Sequence, residues 1–156
     1  MREGRETPPA GPLRRYGPAI LWMGAIFLFS TDQFSHEETG RFLLPLLAWL
    51  FPGAARETVA LLHGGVRKLG HLSEYGVLAV LWYRARAHGT AAWVPEAARI
   101  ALFAAVGYAV ADEAHQALVA SRTGSVLDVV IDAGGAATAL LLLRWSGTAR
   151  AALTHH

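Results

Sequence analysis

Six ionisable side chains fall inside otherwise apolar stretches of this sequence: His71, Glu74, Asp112, Glu113, Asp128 and Asp132. Carboxylates beside a histidine are the groups from which acid–base catalysis, cation binding and intramembrane proton relays are built. Their spacing sorts them by helix face, because residues three or four apart share a side. His71, Glu74 and Tyr75 share one side, Asp112, Glu113 and Gln116 a second, and Asp128, Asp132 and Gly135 a third. Two cations lie close in sequence. Lys68, about one turn before His71, is either an interfacial anchor or an anion contact. Arg122, between the second and third groups, is either a loop charge or the partner of a carboxylate or an anionic ligand.

Each group also has a purely structural account. His71 can hydrogen-bond Glu74 or a backbone carbonyl. Asp128 can cap a helix, since Ser125-x-x-Asp128 has capping-box spacing with Asp in place of Glu or Gln. Several motifs fail on inspection. The letters DEAH at Asp112–His115 lack the Gly-rich GK[ST] loop that a helicase needs. His71-x-x-Glu74 is half of a metal site, and Asp112, Glu113 and His115 supply further N and O donors for zinc or manganese. His115 falls on a different side from Asp112 and Gln116, however, so no metal and no cofactor is expected. No Ser-His-Asp set is recognisable by spacing.

The chain that must position these groups has 156 residues and 16.7 kDa, room for one domain. It is 53% hydrophobic and only 17% charged, with mean hydropathy +0.31. That composition excludes disorder and an ordinary water-soluble domain, and points to a small polytopic membrane protein. Zero cysteines exclude a disulfide framework and a thiolate nucleophile. A net charge of +2 gives no reason to expect nucleic acid as a partner.

The expected fold is all-α: a bundle of four transmembrane helices, with a short interfacial or re-entrant segment between the first and second. Residues 1–15 read as a basic cytoplasmic tail, 16–146 as the transmembrane domain and 147–156 as a second tail. The first span, from Tyr16 to Thr31 with Pro18 in its first turn, is expected to be retained rather than cleaved, because no small-x-small site follows Phe29. RFLLPLLAWLFPG, interrupted by Pro45 and closed by Pro52–Gly53, is too short to span. The second span covers 56–86, bends at Gly64–Gly65 and ends in the belt Trp82–Tyr83–Arg84–Arg86. The third begins at Pro95–Glu96 and runs toward Val119. The fourth follows Ser125 and ends near Trp145. With the amino terminus inside, nine of the 14 Lys and Arg residues fall on the cytoplasmic side, and both termini are expected there. His155–His156 read as the stub of a purification tag.

Counting from the basic end of each span at about 1.5 Å per residue puts His71, Asp112 and Glu113 at about 20 Å, Glu74 at about 15 Å, Asp132 at about 18 Å and Asp128 at about 24 Å. A charge at the centre of a span costs about 2.5–3.5 kcal/mol, so these groups are expected to meet in one polar layer, reached from the non-cytoplasmic face.

Several words of this sequence resemble the VanZ-like family of small bacterial membrane proteins. They are Lys68-x-x-His71-x-x-Glu74-Tyr75, then Asp112-Glu113-x-x-Gln116, Arg122-x-Gly124 and Asp128, with Phe29-Ser30-Thr31 resembling the Ser-rich exit of the first span. The resemblance covers about residues 18–145. Asp132 departs from it, standing where the family often carries an Asn. The resemblance implies a role in the envelope at the bacterial plasma membrane and, for the founding member, lowered susceptibility to the lipoglycopeptide teicoplanin. It supplies no mechanism. Three readings therefore stay open beside a structural role: binding of a lipid-linked envelope precursor or lipoglycopeptide among membrane lipids, a membrane enzyme using Glu74 or Glu113 as base with His71, and a proton or cation path. The last is weakened by only four spans without an inverted repeat.

Overall fold

The computed structural model describes residues 11–31, 36–87, 90, 92–118 and 124–153, leaving undescribed the side chains of 36–39 and of 148–153. These residues form five helices and no strand: α1 (Pro12–Phe29), α2 (His36–Leu50), α3 (Arg56–Arg86), α4 (Pro95–Gln116) and α5 (Val126–Leu153). Proline opens α1 and α4 from the first turn, where its missing N–H costs nothing. The interior prolines, Pro18 and Pro45, break neither helix. The sequence places Pro18 in the first turn of its helix, and the structure starts α1 six residues earlier; the short apolar run around Pro45 is part of the continuous helix α2. Each removes one backbone hydrogen bond, and the helix continues through that gap. Continuous helix also runs through Gly64–Gly65, and α5 extends eight residues past Trp145.

Only α5, over Val126–Gly147, is both long and apolar enough to cross a membrane by length and composition, at a hydropathy of 1.9. The other expected spans fall short among the described residues. For α3 and α4 the reason is in the site itself, since Arg67, Lys68, His71 and Glu74 interrupt the apolar run of α3, and Asp112 and Glu113 that of α4; α1 has only 18 residues and includes Arg14 and Arg15.

Buried stripes explain how the helices associate. On α4, Ala97, Ala101, Ala105 and Ala109 recur every four residues with almost no exposure, letting neighbouring backbones approach. Tyr75, Leu78, Ala79 and Tyr83 of α3 face them, together with Ala136 and Leu140 of α5 and Ile26 of α1. The closest approach joins α3 to α5. Gly76 lies where a methyl group would meet Ala139 Cβ and the Gly135 carbonyl at 3.3 Å, and a methyl at Gly135 would press on the backbone of Leu72. Gly135 and Ala139 therefore act as a small-xxx-small pair.

One end of the bundle is aromatic and basic. Tyr83 stacks on Trp93 at 4.8 Å and its hydroxyl accepts the Val94 N–H at 3.1 Å, tying the end of α3 to the start of α4. Arg144 lies 6.0 Å over Trp93, Tyr16 packs on Trp82, and Arg86 donates to the Tyr16 hydroxyl at 3.4 Å. Two further bonds seat α1: the Trp22 indole donates to the Glu74 carbonyl at 2.9 Å, and the Tyr108 hydroxyl to the Met23 carbonyl at 2.6 Å.

Candidate functional site

The buried stripes of the three long helices continue into polar side chains. On α4 the alanine row that ends at Ala109 runs on to Asp112, Glu113 and Gln116, all three buried. On α5 the row of Leu140 and Ala136 reaches Asp132, which is fully buried. Tyr75 of α3 is one turn from His71. Helical period alone therefore aims these groups inward.

They form two adjoining sets. In the first, Asp112 Oδ2 accepts from the Tyr75 hydroxyl at 3.3 Å and from Gln116 Nε2 at 3.0 Å, so this carboxylate is satisfied inside the bundle. Tyr75 is thereby a buried donor to Asp112, with no exposed surface to offer a ligand. The second set gathers one side chain from each long helix. His71 Nδ1 stands 3.6 Å from Asp132 Oδ1, and His71, Glu113 and Asp132 each offer a donor atom within 4.8 Å of the other two. Glu74 is half-buried and close enough to interact electrostatically with His71, Asp132 and Asp112.

Glu113 also serves the backbone. Its Oε2 accepts the Ser125 N–H at 2.7 Å, while the Ser125 hydroxyl accepts the Asp128 N–H at 3.4 Å. This is the capping box expected at Ser125, except that the returning acceptor comes from α4 and not from Asp128, which stays half-buried. Gly124 permits the contact, since a methyl there would come within 2.5 Å of the Glu113 carbonyl and 2.9 Å of Ala117 Cβ.

Lys68 is exposed, unlike the buried cluster. Arg122 lies outside the described residues. His115 turns toward α1, its ring 5.1 Å from Phe27, as its separation from the Asp112 side anticipates. Sequence reasoning missed His63, which is buried where α2 crosses α3, 3.5 Å from the position a Gly40 methyl would take. The available signal was a histidine within the apolar run Val59–Gly64.

An apolar groove of about 400 Å³ runs along the α3–α5 seam, lined by Leu72, Gly76, Val80, Gly135, Thr138 and Leu142 and ending at Arg84. Leu72 adjoins His71 in sequence, and Gly135 is three residues from Asp132.

The family model described as VanZ/LLP1 matches residues 17–147. The chain belongs to the VanZ/LLP1 family. No curated protein and no solved structure matches it. The match takes in every element that contributes to the polar cluster, so the cluster is built within the VanZ-like part of the chain.

Proposed function

We propose that this VanZ-like protein is a four-span protein of the bacterial plasma membrane, with both termini in the cytoplasm, and that it binds an anionic envelope amphiphile. The headgroup meets the half-buried His71 and Glu74, with Arg122 as the cation the sequence offers for an anionic group, and the chain lies along the α3–α5 seam. The observation that carries this reading is the groove, which starts beside the buried polar cluster and leads to Arg84 about 18 Å away along α3.

Two features support the membrane setting. Large apolar side chains point outward, with Leu21, Phe103 and Leu141 each about two-thirds exposed or more. The belt of Tyr16, Trp82, Tyr83 and Trp93 with Arg86 and Arg144 has the composition of a membrane interface, and its basic residues favour the cytoplasmic side. Lowered teicoplanin susceptibility would follow if the occupant is a lipid-linked precursor or the lipoglycopeptide itself.

Native mass spectrometry of the protein released from its own membrane tests the reading. The wild-type chain should carry a retained amphiphile, and Thr138→Trp, which fills the groove from an exposed position, should release it. A wild-type chain free of bound amphiphile, or a Thr138→Trp chain that holds it unchanged, overturns the reading.

A second reading, a membrane enzyme, is favoured by the His71–Asp132 pair, in which a carboxylate faces the ring Nδ1 as it does in orienting a histidine base. Envelope lipids of unchanged mass with and without the protein would exclude it.

A further inference from the structure

The cluster of His71, Glu113 and Asp132 contains more acceptors than the protein satisfies. Both oxygens of Asp132, Oε1 of Glu113 and Nδ1 of His71 are buried and receive no hydrogen bond among the described residues. Asp132 is fully buried and Glu113 is 5% exposed, so bulk water does not reach these oxygens. A buried carboxylate normally collects donors, because leaving one bare costs several kcal/mol. Nearby donors serve other atoms: the Tyr75 hydroxyl and Gln116 Nε2 donate to Asp112, and the Ser125 N–H to the other oxygen of Glu113.

We infer that these three side chains form a binding site for a divalent transition-metal ion, zinc in the first instance. One imidazole and two carboxylates are a donor set suited to Zn²⁺ or Mn²⁺, and the two negative charges balance the +2 of the ion. The geometry agrees. Donors at about 2.1 Å in a tetrahedral site lie about 3.4 Å from one another. His71 Nδ1 and Asp132 Oδ1 stand 3.6 Å apart, too long for a hydrogen bond and close to that edge. The full set spans 4.8 Å at most, so side-chain rotations of about 1 Å close it. The Ser125 N–H holds Oε2 of Glu113 and leaves the buried Oε1 without a donor, and an outer hydrogen bond of this kind orients a ligating carboxylate. Three protein ligands leave a fourth position for water or for a ligand's anionic group, with Glu74 nearby.

This set differs from the one the sequence suggested. Glu74, Asp112 and His115 are absent from it, and Asp132 joins His71 and Glu113.

The test uses the full chain, purified without a polyhistidine tag and carrying His155→Ala and His156→Ala, stripped with chelator and titrated with ZnCl₂ in detergent. Zinc retained after gel filtration should approach one ion per chain, and Co²⁺ in its place should give the visible absorption of a low-coordinate site. Asp132→Asn and Glu113→Gln keep shape and the helix cap, and each should weaken binding by more than the roughly 10–100-fold that loss of an outer partner costs. Asp112→Asn and His115→Ala should bind as the parent does. Circular dichroism of each variant establishes that it is folded. A folded parent chain that retains no zinc overturns the site, as does zinc held with unchanged affinity by both ligand variants. Neither result bears on the bound amphiphile, which is read separately by mass spectrometry.

Discussion

Gly135 and Gly134 are neighbours in α5 with opposite surroundings, and substituting each by alanine measures how closely α3 and α5 are fitted. A methyl at Gly135 would stand 2.8 Å from the Leu72 carbonyl carbon and 2.9 Å from its Cα, nearer still to its oxygen. Ordinary contact of this kind is about 3.5–4.0 Å, so the helices must separate by about 1 Å. Because the obstacle is backbone, no rotamer change relieves it. Overpacking of this kind costs typically 1–3 kcal/mol, and we expect the upper end, about 3 kcal/mol or a roughly 100-fold fall in the folding equilibrium. At Gly134 nothing lies within 4 Å, and alanine there gains up to about 1 kcal/mol from helix propensity. Equilibrium unfolding of both variants in mixed micelles, followed by circular dichroism, separates the two by about 4 kcal/mol. Equal stability of the two variants would refute the close approach, and with it the basis for placing His71 beside Asp132.

Glu113→Ala removes the acceptor for the Ser125 N–H and should cost about 1 kcal/mol, whereas Glu113→Gln retains an acceptor oxygen and most of that stability; unfolding titrations compare them. Tyr75→Phe deletes one of two donors to the buried Asp112, and unfolding should report a loss of about 1–2 kcal/mol, more if Gln116 is replaced as well. Cysteines placed singly at Val126 and Trp145, both exposed, should react with a membrane-impermeant thiol reagent from opposite sides of the membrane in intact cells and inverted vesicles; labelling from the same side would contradict the proposed crossing by α5.

Much of the architecture is legible in the sequence because the determinants are local. Pro95 opens α4 and the Trp82 to Arg86 belt closes α3, since the first helical turn is where a proline costs no hydrogen bond and the aromatic and basic residues crowd one bundle end. Helical rise and period suffice to bring His71 level with Asp132, whereas the Tyr75 hydroxyl reaches Asp112 from a backbone position about one turn lower by the same count. What escaped was non-local. Local spacing offers Asp128 as the returning half of the capping box, and nothing in the spacing reveals that α4 delivers Glu113 to that N–H instead. His63 escaped because its burial depends on α2, an element distant in sequence that packs Gly40 near the His63 ring. Hydropathy was equally ambiguous. Polar residues grouped inward lower the average of a helix while leaving its outer face apolar, so α3 and α4 read as weaker spans than their outward surfaces suggest.

The clasp formed by Glu113 on Ser125, with Gly124 seated against Ala117, holds the end of α4 to the start of α5 through the helices' own groups. The relative height of the two rods is then set by that clasp together with the α3–α5 seam. One rod cannot slide along the other, and Asp132 cannot fall out of step with His71, unless that clasp opens first.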